Sequence, residues 1–341
     1  MKNTTFSHQP YLAGLFTLSL RWVVGWTYFS AFWRRLILDN KLIPEEAGYI
    51  GEKFNHFLPN ALGIKPIIEY LVTHPDILAI AMIVFTIVEA VVGLLLMLGL
   101  FTRLMSIGVF ALAMGILLAA GWLGTTCLDE WQIGILGLAS GFTLFFTGSS
   151  AYALDDVFIK RKLNFTTKKW FPWLGSGNFP VKNVKFPVLV GSIAIFALSL
   201  FTNQYFHGGV WGRLHNKSVK PKLEISATSL KNDRLQFDVY RVEGADVYGS
   251  FLIGIHLLDQ HRKIIQSYDS SDFLNLSNAA IQNQYIAKVK PAAHSMVIPL
   301  GAKATIMLPV ADVKIKADEK YSIKLIDISG LEWESSVLMV R

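Results

Sequence analysis

The sequence predicts a membrane α-helical bundle, a four-helix core plus a fifth transmembrane helix, followed by an all-β domain of immunoglobulin-like sandwich type. Three observations predict it. Of 341 residues, 52% are hydrophobic and only 17% are charged, against about 25% charged in soluble domains. Apolar runs of about 20 residues, enough to span hydrocarbon at 1.5 Å rise per residue, recur between Tyr11 and Tyr205. After Ser218 the pattern changes to short, alternating β-branched runs separated by Asn, Asp and Gly turns.

The predicted spans run from Tyr11 to Trp33, Ile77 to Phe101, Leu104 to Leu123, Gln132 to Gly148, and Phe186 to Tyr205. In the fourth, Gly134, Gly137 and Gly141 recur at the small-residue spacing that lets membrane helices approach closely. The first span is too long for a cleavable signal and is followed by Arg34 and Arg35, so it reads as a retained signal anchor.

Loop charge sets the expected orientation. Between spans four and five, Lys160, Arg161, Lys162, Lys168, Lys169, Lys182 and Lys185 face only Asp155 and Asp156, a net charge of +5. Between spans one and two, five basic residues meet six acidic ones, a net charge of −1. Basic loops stay in the cytoplasm. The expectation is a multi-pass protein of the cytoplasmic (inner) membrane with a cytoplasmic N-terminus and a periplasmic β-domain. That orientation accounts for the clustered basic residues behind the overall +7 charge, and no nucleic-acid partner is expected.

The β-region contains seven strand-like runs: KLEISATS, RLQFDVYRV, YGSFLIGIHLL, SMVIPL, KATIMLPV, YSIKLIDI and SSVLMV. Spacing of this kind suggests a sandwich. The predicted domains are therefore residues 1–160, a four-helix transmembrane domain; 161–217, a basic loop and the fifth helix; and 218–341, the periplasmic β-domain.

A single cysteine stands in the polar break GWLGTTCLDEWQIG between spans three and four. One cysteine excludes an intrachain disulfide framework and Cys-rich metal sites. Thr126 and Asp129 have the spacing of a T-x-x-D capping box, which predicts Cys127 as the first helical residue, where amide dipoles favour a thiolate. Asp129 and Glu130 oppose that effect unless cations balance them. Arg34, Arg35 and Lys53 are expected on the same outer face. A small hydrophobe beside a helix cap is the plainer reading. The outward polar loop, Trp122 and Trp131, and the paired carboxylates favour a functional thiol.

Arg21 and Glu89 are charges inside predicted spans, which is costly and usually functional. Counting residues from the cytoplasmic ends puts them at one depth, and an ion pair is expected. A clamp between the first two helices and a proton route or quinone-pocket contact are equally open. The apolar loop segment KFNHFLPNALGIKPIIEYL (Lys53 to Leu71) reads as an interfacial helix over the outer mouth of the bundle, with Lys53, Asn55 and His56 as its polar contribution. His207, Arg213 and His215 follow span five and read as snorkelling anchors. None of the eight histidines lies inside a span, so a haem on two intramembrane histidines is not expected. There is no P-loop, no G-x-G-x-x-G before a helix and no H-E-x-x-H, and no metal site is predicted.

RWVVGWTYFSAFWRRLIL, GEKFNHFLPNALGI, EAVVGLLLMLGLFTRL and GWLGTTCLDEWQIG together resemble the DoxD family over residues 10–160. The segment from span five onward resembles DoxA. The resemblance implies a DoxD–DoxA fusion, with DoxD as the large membrane subunit of a thiosulfate:quinone oxidoreductase. It implies oxidation of two thiosulfates to tetrathionate, with a diffusible membrane quinone of ubiquinone, menaquinone or caldariellaquinone type as co-substrate. Within it, Cys127, Asp129 and Glu130 are the expected catalytic residues. Arg34, Arg35, Lys53 and His56 are expected to bind substrate. Arg21, Trp22, Trp26, Glu89, Trp122 and Trp131 are expected on the quinone or proton path. Transport of thiosulfate or another sulfur anion, and an accessory role in a respiratory complex, are the rival readings. A homo-oligomer is left open.

Overall fold

In a computed structural model of the chain, residues 9–44, 46, 48–124, 129–181, 183–231, 233–245, 250–310 and 319–339 are described. The helices are α1 (Gln9–Phe16), α2 (Leu18–Phe32), α3 (Glu52–Phe57), α4 (Lys65–Thr73), α5 (Pro75–Leu98), α6 (Thr102–Ala120), α7 (Asp129–Thr147), α8 (Leu154–Lys160), α9 (Phe171–Leu174), α10 (Lys185–His207) and α11 (Ser270–Leu274). A π-helical segment, Trp33–Leu38, continues α2. Among the described residues, α5, α6 and α10 are long and apolar enough to cross a membrane. The expected first span is broken at Thr17, whose hydroxyl donates to Ala13 O at 3.1 Å, a local bond that competes with the helix ladder. The expected fourth span is α7.

The described residues form two compact units. The first holds residues 9–50, 79–122 and 129–215. Its helices meet through glycines. Added side-chain carbons at Gly134 and Gly137 of α7 would lie 2.8 Å and 2.7 Å from Leu117 and Ala113 of α6, and one at Gly141 would lie 2.8 Å from Ser106 O. The small-residue face read from the sequence is therefore the α6–α7 seam. Gly25 of α2 packs in the same way on Gly93 of α5. Tyr28, Val92, Leu96, Val109, Leu112 and Leu144 fill the core. The opposite faces remain apolar: Ile83, Ile87 and Val91 on α5 and Phe186, Ile193 and Phe196 on α10 are exposed, as a hydrocarbon surrounding allows.

The end of this unit that holds α8 and α9 is tied by a buried polar knot. Asp155 accepts from Phe101 N (2.9 Å), Thr102 N (3.1 Å) and Ser176 Oγ (2.7 Å), and so caps α6 from a distant part of the chain. Arg103 donates to the carbonyls of Phe145, Pro172 and Gly177.

The second unit holds described residues 51–78, 123–124 and 216–339. Its strands are β1 (Lys222–Lys231), β2 (Arg234–Glu243), β3 (Ser250–Leu258), β4 (Ile264–Tyr268), β5 (Ile281–Asn283), β6 (Lys290–Ala292), β7 (Ser295–Ile298), β8 (Lys303–Pro309), β9 (Tyr321–Asp327) and β10 (Glu332–Met339). They lie on one path, β5-β8-β2-β1-β10-β9-β3-β7-β6, with β4 on β3. The expectation is a sandwich of immunoglobulin-like type. The all-β part of that expectation holds, and β1 and β10 pair in parallel through Ser229 with Leu338 and Leu230 with Met339, so the sheet nearly closes. Alternation does the packing. Tyr321, Ile323, Leu325 and Asp327 of β9 are buried while the residues between them are half-buried. Phe237, Leu252, Ile306 and Ile323 meet in one core.

Helices α3 and α4 belong to this unit. Asn55, fully buried, donates to Gly301 O and accepts from Ala287 N, both at 3.1 Å. Gly301 has φ +74°, and a side chain there would overlap the Asn55 carbonyl. The segment expected to be one interfacial helix is thus two helices with a 3₁₀ turn between them. Asn55 is spent on holding the β-strand loops.

Candidate functional site

The charged site of the first unit begins with the π-helical segment. Its wider turn carries Arg35 back toward α5. There Arg35 Nη1 lies 2.5 Å from Glu89 Oε2 and 3.1 Å from Thr86 Oγ1, with the guanidinium carbon 5.7 Å from the centre of the Phe85 ring. Glu89 is 4% exposed. Tyr28 is buried on the same helix pair, and its hydroxyl faces Gly137 of α7. A buried carboxylate held by a guanidinium, with a threonine hydroxyl and a phenol nearby, can hold a charge and pass a proton.

The expected Arg21–Glu89 pair does not form. The contact of Gly25 with Gly93 fixes the α2–α5 register. It leaves Glu89 facing the π-helical end of α2 and Arg21 facing the C-terminal end of α5. Arg21 Nη2 donates to Tyr152 O at 2.7 Å, and Nη1 sits against Gly99. Helix C-termini carry partial negative charge, which suits a cation. Arg21 is 1% exposed, and its Nε and Nη1 have no hydrogen-bond partner among the described residues.

Cys127 lies outside the described residues, as does the side chain of Asp129. In the first unit His207 Nε2 lies 3.0 Å from Gly121 O, and Trp131 Nε1 donates to Thr202 Oγ1 at 2.9 Å. Trp122 is fully buried and Glu130 half-buried. In the second unit Gly124 N donates to Ser218 Oγ at 3.1 Å, and Asn216 Nδ2 donates to Gly124 O at 2.8 Å.

The remaining predicted residues divide between the units. Arg34 is exposed, and its Nε donates to Ser30 O, one turn earlier, at 3.3 Å. Trp22 and Trp26 are exposed on α2, the second with its ring centre 6.1 Å from that of Phe29. In the second unit Lys53 is half-buried on α3 and His56 is buried. The sequence reading missed His207, a buried residue in place of the expected surface anchor. It also missed the capping role of Asp155. Both depend on helix partners that periodicity does not reveal.

A cavity of about 280 Å³ between α6 and α7 is lined by Ser106, Ile107, Phe110, Phe142, Phe145 and Phe146. The Ser106 hydroxyl is already bonded to Thr102 O at 2.7 Å. The wall therefore has no free donor for a quinone carbonyl and fits a hydrocarbon chain better than a quinone ring.

Comparison with protein families adds two matches. A model described as TQO small subunit DoxD matches residues 16–186. A second, described as TQO small subunit DoxA, matches residues 206–336. TQO denotes thiosulfate:quinone oxidoreductase, and both parts are named small subunits, where the sequence reading expected DoxD to be the large one. The chain belongs to the DoxD family and continues into a DoxA region, joining the two TQO small subunits in one polypeptide.

Proposed function

We propose that the chain oxidises thiosulfate to tetrathionate and passes the electron pair to a membrane quinone, with Cys127 as the covalent relay. The two family matches, together covering most of the chain, carry this reading. Cys127 as thiolate reacts with one thiosulfate while two electrons leave for the quinone, which takes up two protons as it becomes quinol. The product on the protein is Cys–S–S–SO3⁻. A second thiosulfate attacks the sulfur next to the sulfonate, tetrathionate departs, and the Cys127 thiolate returns. Atoms and charge balance over the two steps, and one cysteine is enough.

The buried Arg35–Glu89–Thr86 cluster suits a proton route to the reduced quinone, with Asp129 or Glu130 as further relays. Arg34, exposed at the π-helical end of α2, suits the sulfonate oxygens. The positive-inside pattern supports a periplasmic position for the Cys127 segment and the DoxA region.

The test is thiosulfate-dependent quinone reduction by the detergent-purified chain. Quinol and tetrathionate in a 1:1 ratio are expected. Protein that moves thiosulfate across proteoliposomes without reducing quinone would sink the reading.

A further inference from the structure

We propose that the α8–α9 end of the first unit and the cavity between α6 and α7 form one binding site for an anionic phospholipid. A hydrocarbon chain lies in the cavity, and the phosphodiester headgroup rests on a row of basic side chains. The site is independent of the thiosulfate reading and uses none of the residues assigned to it.

The basic row is exposed and uncompensated. Lys160 is paired with Asp156. Arg161, Lys162, Lys168, Lys169 and Lys185 are exposed and have no ion-pair partner among the described residues. The other carboxylate of this end, Asp155, is buried and already accepts from Phe101 N, Thr102 N and Ser176 Oγ. Unpaired cations this close in the chain repel one another, and an anionic headgroup relieves that repulsion. Trp170 and Trp173 stand among them, both exposed, and tryptophan favours the headgroup level of a bilayer. The ledge is pinned to the bundle. Arg103 of α6 donates to Pro172 O and Gly177 O, and the buried Phe171 ring meets Phe101 edge-on with 6.3 Å between centres.

An aromatic strip joins this ledge to the cavity. Phe145 and Phe146 line the cavity, and their ring centres lie 5.8 Å and 5.4 Å from that of Phe179. Phe179 in turn lies 5.7 Å from Trp173, and the Arg103 guanidinium carbon is 4.9 Å from its ring centre. The cavity wall is almost wholly apolar, and Ile107 on that wall is exposed, so a chain can enter from the bilayer. Helix α10 relates the two parts in depth. Gly191 packs on the Phe142 ring of the cavity wall, and Lys185 stands six residues earlier, about 9 Å along the axis at 1.5 Å per residue. Apolar cavity and charge therefore occupy neighbouring depths, in the order that a phospholipid requires. Basic pockets beside membrane helices take anionic headgroups.

The test is native mass spectrometry of the full-length chain in detergent, titrated with phosphatidylglycerol or with phosphatidylcholine of identical acyl chains. One phosphatidylglycerol per chain should bind about tenfold or more tightly than phosphatidylcholine. Each basic residue removed should cost about fivefold in phosphatidylglycerol affinity, so the triple variant Lys168→Gln/Lys169→Gln/Lys185→Gln should lose the preference. Ile107→Trp places a large ring at the cavity and should weaken both lipids alike. Thermal melting confirms folding, and the triple lysine variant carries the test if Ile107→Trp does not fold. Equal binding of the two lipids by the wild type would overturn the proposal, as would a preference that survives loss of the three lysines. So would undiminished binding in folded Ile107→Trp. Displacement of the lipid by a long-tailed quinone but not by its short-tailed analogue would also overturn it, because the cavity would then hold an isoprenoid tail. Thiosulfate turnover enters none of these readouts, so a failed catalytic reading leaves the lipid site standing.

Discussion

Arg35 and Glu89 form a buried ion pair across the α2–α5 seam, with Nη1 and Oε2 2.5 Å apart. Removing one partner strands the other charge in a low-dielectric interior. Arg35→Ala should cost about 3–5 kcal/mol of stability by the general behaviour of such pairs. Arg35→Met combined with Glu89→Leu should recover most of that loss, because two apolar side chains replace two desolvated charges. Thermal melting in detergent reads the stability. Quinone reduction should stay low in the double variant if the pair serves proton movement, and would return if the pair were only a clamp.

Asn55 bridges Gly301 O and Ala287 N with no water-facing atom to spare. Asn55→Ala leaves a buried carbonyl and a buried amide unpaired, at a cost of about 1–3 kcal/mol each. Gly301→Ala should be as damaging, since it places a side chain at φ +74° against the Asn55 carbonyl. Both show as a lowered melting temperature of the full chain, with a smaller loss for a surface control such as Lys231→Ala.

Asp155 gathers two amides and the Thr102 and Ser176 hydroxyls onto one carboxylate. Asp155→Ala should unfasten the start of α6 and destabilise by about 1–2 kcal/mol or more, the upper end of helix-cap losses. Proteolysis should then cut near Ser176 faster than in the wild type. Asp155→Asn keeps acceptor capacity on one oxygen and should lose less.

Burial pushes the phenols of Tyr240 and Tyr268 in the β-domain well above their ordinary value. Their folded pKa exceeds the unfolded one, so the stabilisation is complete below about pH 10 and is lost as pH rises through the folded value. Melting temperature should be flat across neutral pH in this respect and fall above about pH 10. Tyr268 donates to Pro309 O at 2.8 Å, and Tyr268→Phe should soften the alkaline fall at the expense of that bond.

The local patterns were legible in the sequence. All seven strand-like runs became strands, because alternation reports a half-buried face directly. The strands β4, β5 and β6 went unseen, being three to five residues long. The glycine spacing of the fourth span foretold the α6–α7 seam. What failed was pairing at long range. Residue counting put Arg21 and Glu89 at one depth, but the Gly25–Gly93 contact shifts the register and hands Glu89 to Arg35. Asn55 reads as a polar residue of a surface helix until Gly301, 246 residues later, folds back onto it.

The central claim is the sulfur relay at Cys127, and intact-mass spectrometry during turnover tests it most directly. Protein quenched after mixing with thiosulfate and oxidised quinone should carry one thiosulfate-derived adduct, mapped to Cys127 and removed by further thiosulfate. Cys127→Ser should show neither adduct nor tetrathionate. Full tetrathionate production by Cys127→Ser would contradict the account outright.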